Sequence, residues 1–514
     1  MTAPDHIDTL LVRLEALDVR LLATPGGALR YDAPRHALTD DLLAELRVHK
    51  AELIARISDM TYEVTDRAPV SDQQARMIAG HYSVPHAEVW NIPTRIRFSG
   101  ALDPDALRAA LAELIGRHHG LRTRFVQQAD GAWWQEVVAP PPLDLPVEDL
   151  THLPAAAERR KHGEELCHEA AAASFDLTRP VLPRLRLIRT EEDEWALMFV
   201  LHHICVDGWS LSLLLAEIAE LYAAYAAGTA HTLSAPASQS TDYARWQRAQ
   251  DDPATEARRA AHCAAYLDGV PAALDVPTAL PRPEKLSGRG GTIRGLASGE
   301  LRAAVEGFAA ARHTTPFAVA AAALGVFLAR LSGERDILLA VPYANREATA
   351  FESLVAMTST AIMVRVRPDP DESCAALVTR TGTGAMEAMA NVLPTARIMQ
   401  AMRDAGATDV PDRVPYVLAF QNSVDTDIEI PYLGVEVDDL APPLARSELC
   451  FGLAPRRDPA TGYRTFLEYS ADLWDAEAAE ALLTEYTTLL SELCSRPEEP
   501  VGPLLQANGK ARTA

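Results

Sequence analysis

The chain has 514 residues, 48 % of them apolar and 23 % charged, which fits roughly two to four folding units of ordinary soluble character. Lys and Arg number 48 against 71 Asp and Glu, a formal net charge of -23. That balance excludes the phosphate-neutralising surface of a nucleic-acid binder and the basic patch that holds a protein on an anionic membrane. It fits a protein that handles small or carrier-bound substrates. The six cysteines (Cys167, Cys205, Cys263, Cys374, Cys450 and Cys494) are far apart, with no C-x-x-C pair. No zinc site or redox motif is signalled, and the expectation is a cytoplasmic protein with reduced thiols. Asp5 and Asp8 stand where a signal peptide would be basic and then apolar. The longest apolar run, 317–329, is shorter than a bilayer crossing requires and reads as a core helix.

The first module is residues 1–60. Ile7, Leu10, Leu11 and Leu14 recur at helical spacing. Two short strands flank Thr24-Pro25-Gly26-Gly27 and form a hairpin. Thr39 or Asp40 caps a second helix carrying Leu42, Leu43, Leu46, Leu53, Ile54 and Ile57. This α-β-β-α unit has an open hairpin edge that can pair with an extended peptide. Residues 61–70 read as a linker. A first lobe follows over 71–250, with helices at 103–117, 157–173 and 210–225 and strands at 121–126, 133–138, 184–188 and 196–201. A Pro- and Ala-rich connection spans 251–283. A second lobe, 284–505, has helices at 300–311, 316–331 and 476–494 and strands at 336–342 and 358–367, and 506–514 is a tail. The class is α+β.

The most informative segment is Leu201-His202-His203-Ile204-Cys205-Val206-Asp207-Gly208-Trp209-Ser210. It joins an apolar strand to a helix, a place where reactive groups are often presented. Adjacent side chains on extended backbone face opposite sides, so at most one of the two imidazoles meets a substrate. Asp207 and Gly208 suit a sharp turn. Read alone, the segment is equally a packed histidine pair with a helix-capping Asp. No third and fourth metal ligands stand at suitable spacing.

With its neighbours, this segment resembles the condensation domain of nonribosomal peptide synthetases, in the chloramphenicol-acetyltransferase-like superfamily. Ser71-Asp72-Gln73-Gln74-Ala75-Arg76-Met77, Arg117-His118-His119-Gly120-Leu121-Arg122-Thr123-Arg124-Phe125 and Thr241-Asp242-Tyr243-Ala244-Arg245-Trp246 resemble further family motifs. So do Arg282-Pro283 with Gly288-Arg289-Gly290-Gly291, Pro342-Tyr343-Ala344-Asn345-Arg346, Phe420-Gln421-Asn422 and Tyr469-Ser470-Ala471-Asp472-Leu473-Trp474. The resemblance runs from about residue 70 to about 500. Where the family has Gly-x-Phe-Val-Asn-Thr the chain reads Ala356-Met357-Thr358-Ser359-Thr360-Ala361, with Thr360 at the Asn position, and His119 stands where Glu is common. The sixth motif is weak, near Pro394, and the seventh is absent. The N-terminal module resembles the β-hairpin docking domains that receive a short linear motif from the C-terminus of an upstream carrier protein.

The resemblance implies two lobes in a V shape around a central tunnel, preceded by the docking domain. It implies that an acyl chain passes from the phosphopantetheinyl thioester of an acyl or peptidyl carrier protein to an amine or hydroxyl, with no cofactor or metal of the enzyme's own. His203 is then the catalytic residue, as general base or as the group that positions the nucleophile. His202 packs beneath the loop. Asp207 shapes it through an ion pair with an arginine, for which Arg76 is the candidate. The Gly208 N–H, with Trp209 nearby, polarises the tetrahedral oxyanion. Arg30, Arg47 and Lys50 are the docking candidates for acidic residues of the carrier's motif. The chain stops just after the fold, so the expectation is a free-standing enzyme that releases the acyl chain onto a small soluble amine or alcohol. Peptide-bond formation between two carrier-bound substrates and a non-catalytic recruitment module remain as alternatives. The Glu-Gly-His-Gly-Arg motif of epimerases, the paired aspartates of heterocyclisation domains and the Asp-Phe-Gly-Trp-Gly motif of plant-type CoA acyltransferases are all missing.

Overall fold

The computed structural model describes residues 62–506 except 85, 251, 272–273, 347, 405–413, 422–427 and 441–442. Of the first sixty it describes 7, 10–11, 13–14, 17, 19–23, 29–34, 37–50 and 52–53. In this N-terminal module Arg20–Ala23 (β1) and Leu29–Asp32 (β2) pair antiparallel, with Leu22 opposite Arg30. The helix Asp40–Val48 (α1) starts at Thr39, whose hydroxyl accepts the Leu42 N–H. Residues 7, 10, 11, 13 and 14 are helical, and Ile7, Leu10 and Leu14 close a small core with Val19, Leu21, Leu42, Leu46 and Leu53. The turn at 24–28 and residues 54–60, where Ile54 and Ile57 would extend the second helix, lie outside the described residues.

The reading of 61–70 as a linker is corrected. Val64–Pro69 is a strand (β3) that pairs with Trp133–Val138 (β6), which pairs in turn with Thr123–Gln127 (β5). Its side chains lack an apolar alternation, so periodicity misses it, and the ladder to β6 is what makes it a strand. Pro69 ends it, leaving Ser71 to open the helix Asp72–Ser83 (α2) with a capping box. Ser71 Oγ accepts the Gln74 N–H and Gln74 Oε1 accepts the Ser71 N–H.

The main sheet of the first lobe holds Asn91–Ser99 (β4), Val147–Asp149 (β7), Arg184–Glu191 (β8) and Glu194–His202 (β9), in the order β4-β9-β8-β7. Helices Pro104–Arg117 (α3), Ala156–Ala172 (α4) and Gly208–Ala227 (α5) accompany it. α5 is long and apolar enough to cross a membrane by length and composition, as a core helix also can be. Here Leu211, Leu214, Leu215, Ile218 and Leu221 lie in the lobe's core.

Ser240–Ala249 (α6) leads to Pro253–Leu267 (α7), a helix inside the stretch read as a Pro- and Ala-rich connection. Asp252 caps it and Pro253 occupies its first turn, where proline is tolerated because no intrahelical donor is lost. The second lobe contains Gly290–Ala297 (β10), Gly299–Ala311 (α8), Pro316–Ser332 (α9), Ile337–Tyr343 (β11), Thr360–Val366 (β12), Cys374–Ala390 (α10), Thr395–Asp404 (α11), Tyr416–Phe420 (β13), Gly434–Asp439 (β14), Leu449–Pro455 (β15), Tyr463–Ser470 (β16) and Ala476–Ser495 (α12). Its sheet runs β10-β16-β15-β13-β11-β12. The run 318–329 of α9 is buried throughout, as the apolar pattern predicts.

β14 does not join that sheet. It pairs antiparallel with β4, Val437 opposite Ile96, and so completes the sheet of the first lobe. The division into 71–250 and 284–505 is corrected accordingly. Val435, Val437 and Leu440 pack against the first lobe's core, and the edge of β4 is covered. Each lobe thus has its own core, and a strand from the second half of the chain closes the first. Phe199→Ala, in β9 at the centre of that first core, is expected to cost about 3–5 kcal/mol, read from the urea midpoint of the first unfolding transition.

Candidate active site

The site begins where β9 runs out. Asn91 and His202 are the last paired residues of β4 and β9, and the His203 N–H then donates to the Trp90 carbonyl at 2.8 Å. The chain turns back at once, with the Cys205 N–H donating to the His202 carbonyl. His202 points inward and is 1 % exposed. Its Nδ1 accepts the Ile204 N–H at 3.0 Å, so the neutral ring carries its proton on Nε2, which faces Nδ1 of His81 at 3.3 Å. Phe175 packs edge-on to the same ring. Burial holds His81 down to about 4 and His202 well below the usual imidazole value, so both are neutral at pH 7.

His203 turns the other way, as alternation requires, and is partly exposed. Its Nδ1 lies 2.9 Å from the Val206 carbonyl. A carbonyl only accepts, so Nδ1 holds the proton and Nε2 keeps a lone pair. Burial, reinforced by the positive charges of Arg446 and Arg76, lowers His203 to about 4 against the opposing pull of Asp207 and the Val206 carbonyl.

Asp207 is fully buried and its carboxylate accepts from both lobes. Oδ1 accepts the Ser210 N–H at 2.9 Å, the Ser210 hydroxyl at 2.8 Å and Nη2 of Arg346 at 3.0 Å. Oδ2 accepts the Thr358 N–H and hydroxyl and the Ser359 hydroxyl, at 3.2, 2.9 and 3.0 Å. Burial would raise this carboxyl, but the Arg346 charge and the Ser210 and Thr358 hydrogen bonds outweigh it and hold it below its ordinary value. Arg76 is not its partner, contrary to the sequence reading. The only hydrogen bond of Arg76 to a described residue runs to the Ser359 carbonyl at 3.5 Å. Arg346 takes the place because it follows a turn at Asn345, whose φ of 53° Asn tolerates, and its other donors bind the carbonyls of Phe351 and Leu354. The separation of 139 positions between Asp207 and Arg346 gave no spacing signal. The only hint was the motif that ends in Arg346.

Gly208 opens α5, so its N–H is among the first-turn donors with no acceptor inside the helix. Trp209 follows it, and its indole N–H donates to the Glu352 carbonyl at 2.8 Å, which ties the two lobes. Ser238 to Ala350 and Asn345 to Tyr243 are further ties across the lobes. Gly120 sits where they meet: a Cβ there would lie 3.0 Å from the Cys205 carbonyl oxygen and 3.1 Å from that of Val355. His119 makes no hydrogen bond at its buried Nδ1, which lies 3.8 Å from Asp66 Oδ2, while its backbone N–H donates to Gln239 Oε1. Thr360 is buried at the start of β12, opposite Tyr343. Gly288 has a φ of 83°, and Gly290 and Gly291 begin β10. In the N-terminal module Arg47 and Lys50 are exposed; Arg30 is in β2, but its side chain lies outside the described residues. Among the described residues no group of three His, Cys, Asp or Glu side chains is placed to hold a metal ion.

Comparison with known proteins places this geometry in a family. The condensation-domain family model matches residues 64–511, nearly all of the chain beyond its first module. The chain belongs to the condensation-domain family. Residues 7–57 match the TubC N-terminal docking domain. Condensation domains act on carrier-bound phosphopantetheinyl substrates, and this condensation domain is an acyltransferase. Its docking domain implies a partner synthetase or carrier protein. A curated relative, a probable non-canonical nonribosomal peptide synthetase of Salinispora arenicola named CymA, is 30 % identical over 95 % of this chain and 6 % of its own length. A dimodular nonribosomal peptide synthase of Bacillus subtilis is 30 % identical over 86 % of this chain and 19 % of its own length. The chain therefore spans less than a fifth of these relatives. Among solved structures, SgcC5 of Streptomyces globisporus, in complex with a naphthyl ethanediol and sucrose, is 25 % identical, with a TM-score of 0.69 over 84 % of this chain and all of that one. The X-domain from teicoplanin biosynthesis shares the fold at 23 % identity, with a TM-score of 0.71 over 86 % of this chain and 98 % of that one.

Two outcomes follow from the electrostatics. Arg346→Met leaves the Asp207 charge buried without its counter-ion and is expected to destabilise the protein by about 3–5 kcal/mol, read from urea unfolding. His81 and His203 titrate near 4 when folded and near 6.5 when unfolded, so the unfolded chain binds more protons between those values. Stability is therefore full above pH 6.5 and falls as pH drops toward 4. His81→Gln, whose amide oxygen can accept from His202, is expected to flatten that slope in thermal melts recorded across the window.

Proposed function

We propose that His203 is the catalytic residue and that the enzyme transfers an acyl chain from a carrier protein to a small soluble amine or alcohol, forming an amide or ester. The observation that carries this is the neutral imidazole with its proton fixed on Nδ1, which leaves the Nε2 lone pair to receive the acceptor's proton. A base of such low affinity does not strip the acceptor beforehand. It takes the proton as the new bond forms at the thioester carbon. Asp207 is not a proton acceptor in this scheme, because six donors saturate it; it fixes the loop that carries His203. His202 and His81 support the same loop from beneath.

Two observations favour a small free acceptor over a second carrier-bound one. The segment 356–361, which carries Thr360 in place of the family's Asn, lines up against Asp207 and the histidine loop. The relative SgcC5 was crystallised with a vicinal diol. The docking domain supplies the donor side. An upstream acyl or peptidyl carrier protein brings a short C-terminal motif to the β1–β2 hairpin, with Arg30, Arg47 and Lys50 meeting its acidic residues, and this tether raises the effective concentration of the thioester.

The test is intact-protein mass spectrometry of an acylated carrier bearing its own C-terminal tail, incubated with enzyme and panels of amines and alcohols. Loss of the acyl mass should require an acceptor, and His203→Ala should slow it by at least about 10²-fold. The wild-type rate should hold from pH 8 down to about 5 and fall as His203 protonates near 4. Transfer only to a second loaded carrier would return the enzyme to peptide extension, and carrier binding without any transfer would make it a recruitment module.

A further inference from the structure

Among the described residues, Arg76 has no counter-ion in the resting site. It lies on α2, five residues before His81, and is partly exposed. No carboxylate of the described residues forms an ion pair with it, and its buried Nε finds no hydrogen-bond acceptor. The Ser359 carbonyl, 3.5 Å from Nη2, is its one hydrogen-bond partner among them. Asp207 is linked to the same Ser359 through that residue's hydroxyl, but it is already saturated by Arg346, Ser210, Thr358 and Ser359. The other cation whose field reaches His203, Arg446, is held by Glu468 through both its N–H and its guanidinium. An arginine stays charged, and a largely buried charge without a partner is unfavourable in the resting fold. What such a position favours is a bound anion, and the anion must form close to His203.

We propose that Arg76 binds the negative charge that develops on the donor carbonyl oxygen when the acceptor attacks the thioester. This rests on the reading of His203 given above. In the step, the acceptor's oxygen or nitrogen forms a bond to the carbonyl carbon. The carbonyl π pair moves onto its oxygen, facing the Arg76 guanidinium, and the acceptor's proton passes to Nε2 of His203. The carbonyl then reforms, the carbon–sulfur bond breaks, and the proton leaves on the pantetheine sulfur. The groups that act on His203 are Arg446, Asp207, Arg76 and the Val206 carbonyl, with His202 behind it. A positive field there keeps the base weak and places the enzyme's help on the oxyanion.

The experiment compares wild type, Arg76→Gln, Arg76→Lys and His203→Ala. Calorimetry measures binding of a pantetheinyl phosphonate, a stable tetrahedral anion, and of an uncharged pantetheinyl thioether of the same length. Arg76→Gln should weaken the phosphonate by about 10²-fold and the thioether by less than twofold, with Arg76→Lys between. The kcat for transfer should fall by a similar factor for acceptors with and without a carboxylate, while KM for the carrier holds. The His203 ring resonance should titrate at higher pH in Arg76→Gln, a shift that a purely structural role would not produce. Unchanged phosphonate affinity in a folded Arg76→Gln variant overturns the proposal. So does a loss confined to carboxylate-bearing acceptors, which would make Arg76 a reader of the acceptor. If Arg76→Gln does not fold, undiminished phosphonate binding by Arg76→Lys overturns it instead. Phosphonate binding that depends on Arg76 in an enzyme that transfers to no acceptor would sink the transfer reading and leave the anion site standing.

Discussion

The buried carboxylate of Asp207 organises this protein. Desolvating one carboxylate and one guanidinium is unfavourable, and their attraction offsets it only when the remaining lone pairs are also filled. Asp207 meets that condition with donors from two lobes: Ser210 from its own helix, and Arg346, Thr358 and Ser359 from the other half of the chain. Neither lobe can fill the site alone, so the ion pair forms only when both halves are folded and docked. Ser210 extends the same network, since its hydroxyl oxygen accepts the Ala356 N–H while its proton goes to Asp207. The loop bearing His203 is fixed between the end of β9 and this junction.

The two histidines divide the labour by direction. His202 faces the core, where the Ile204 N–H and His81 take up both ring nitrogens. His203 turns the other way and is partly exposed, with Nδ1 tied to the Val206 carbonyl and the Nε2 lone pair left free by that tautomer. The tautomer of each ring follows from a backbone group, a carbonyl for His203 and an N–H for His202. The protonation pattern of both rings is therefore set by the turn itself.

Much of this was legible in the sequence because local signals were strong. The histidine motif, the apolar β9, the run in α9 and the capping residue Thr39 all report on their own neighbourhoods. What escaped was non-local. β3 is a strand only because β6 lies beside it, and β14 belongs to the first lobe because its edge lies beside β4. The pairing of Asp207 with Arg346 rather than Arg76 depends on the turn at Asn345, which no periodicity reveals. The bond from the Trp209 indole to the Glu352 carbonyl escaped for the same reason: its partner comes from the opposite lobe.

The pairing of β14 with β4 has a consequence for synthesis on the ribosome. The edge of β4 is complete at Ser99, yet its partner ends at Asp439. At about 5–20 residues per second, the nascent chain carries that open edge for on the order of 20–70 s. Throughout that interval the first half presents unpaired backbone donors and acceptors beside an apolar core. Arg95 and Arg97, on the strand that waits, place charge along the edge and later pair with Asp438 and Glu436 on the strand that arrives. The same side chains that close the finished sheet thus also keep the unfinished one from joining to another copy of itself.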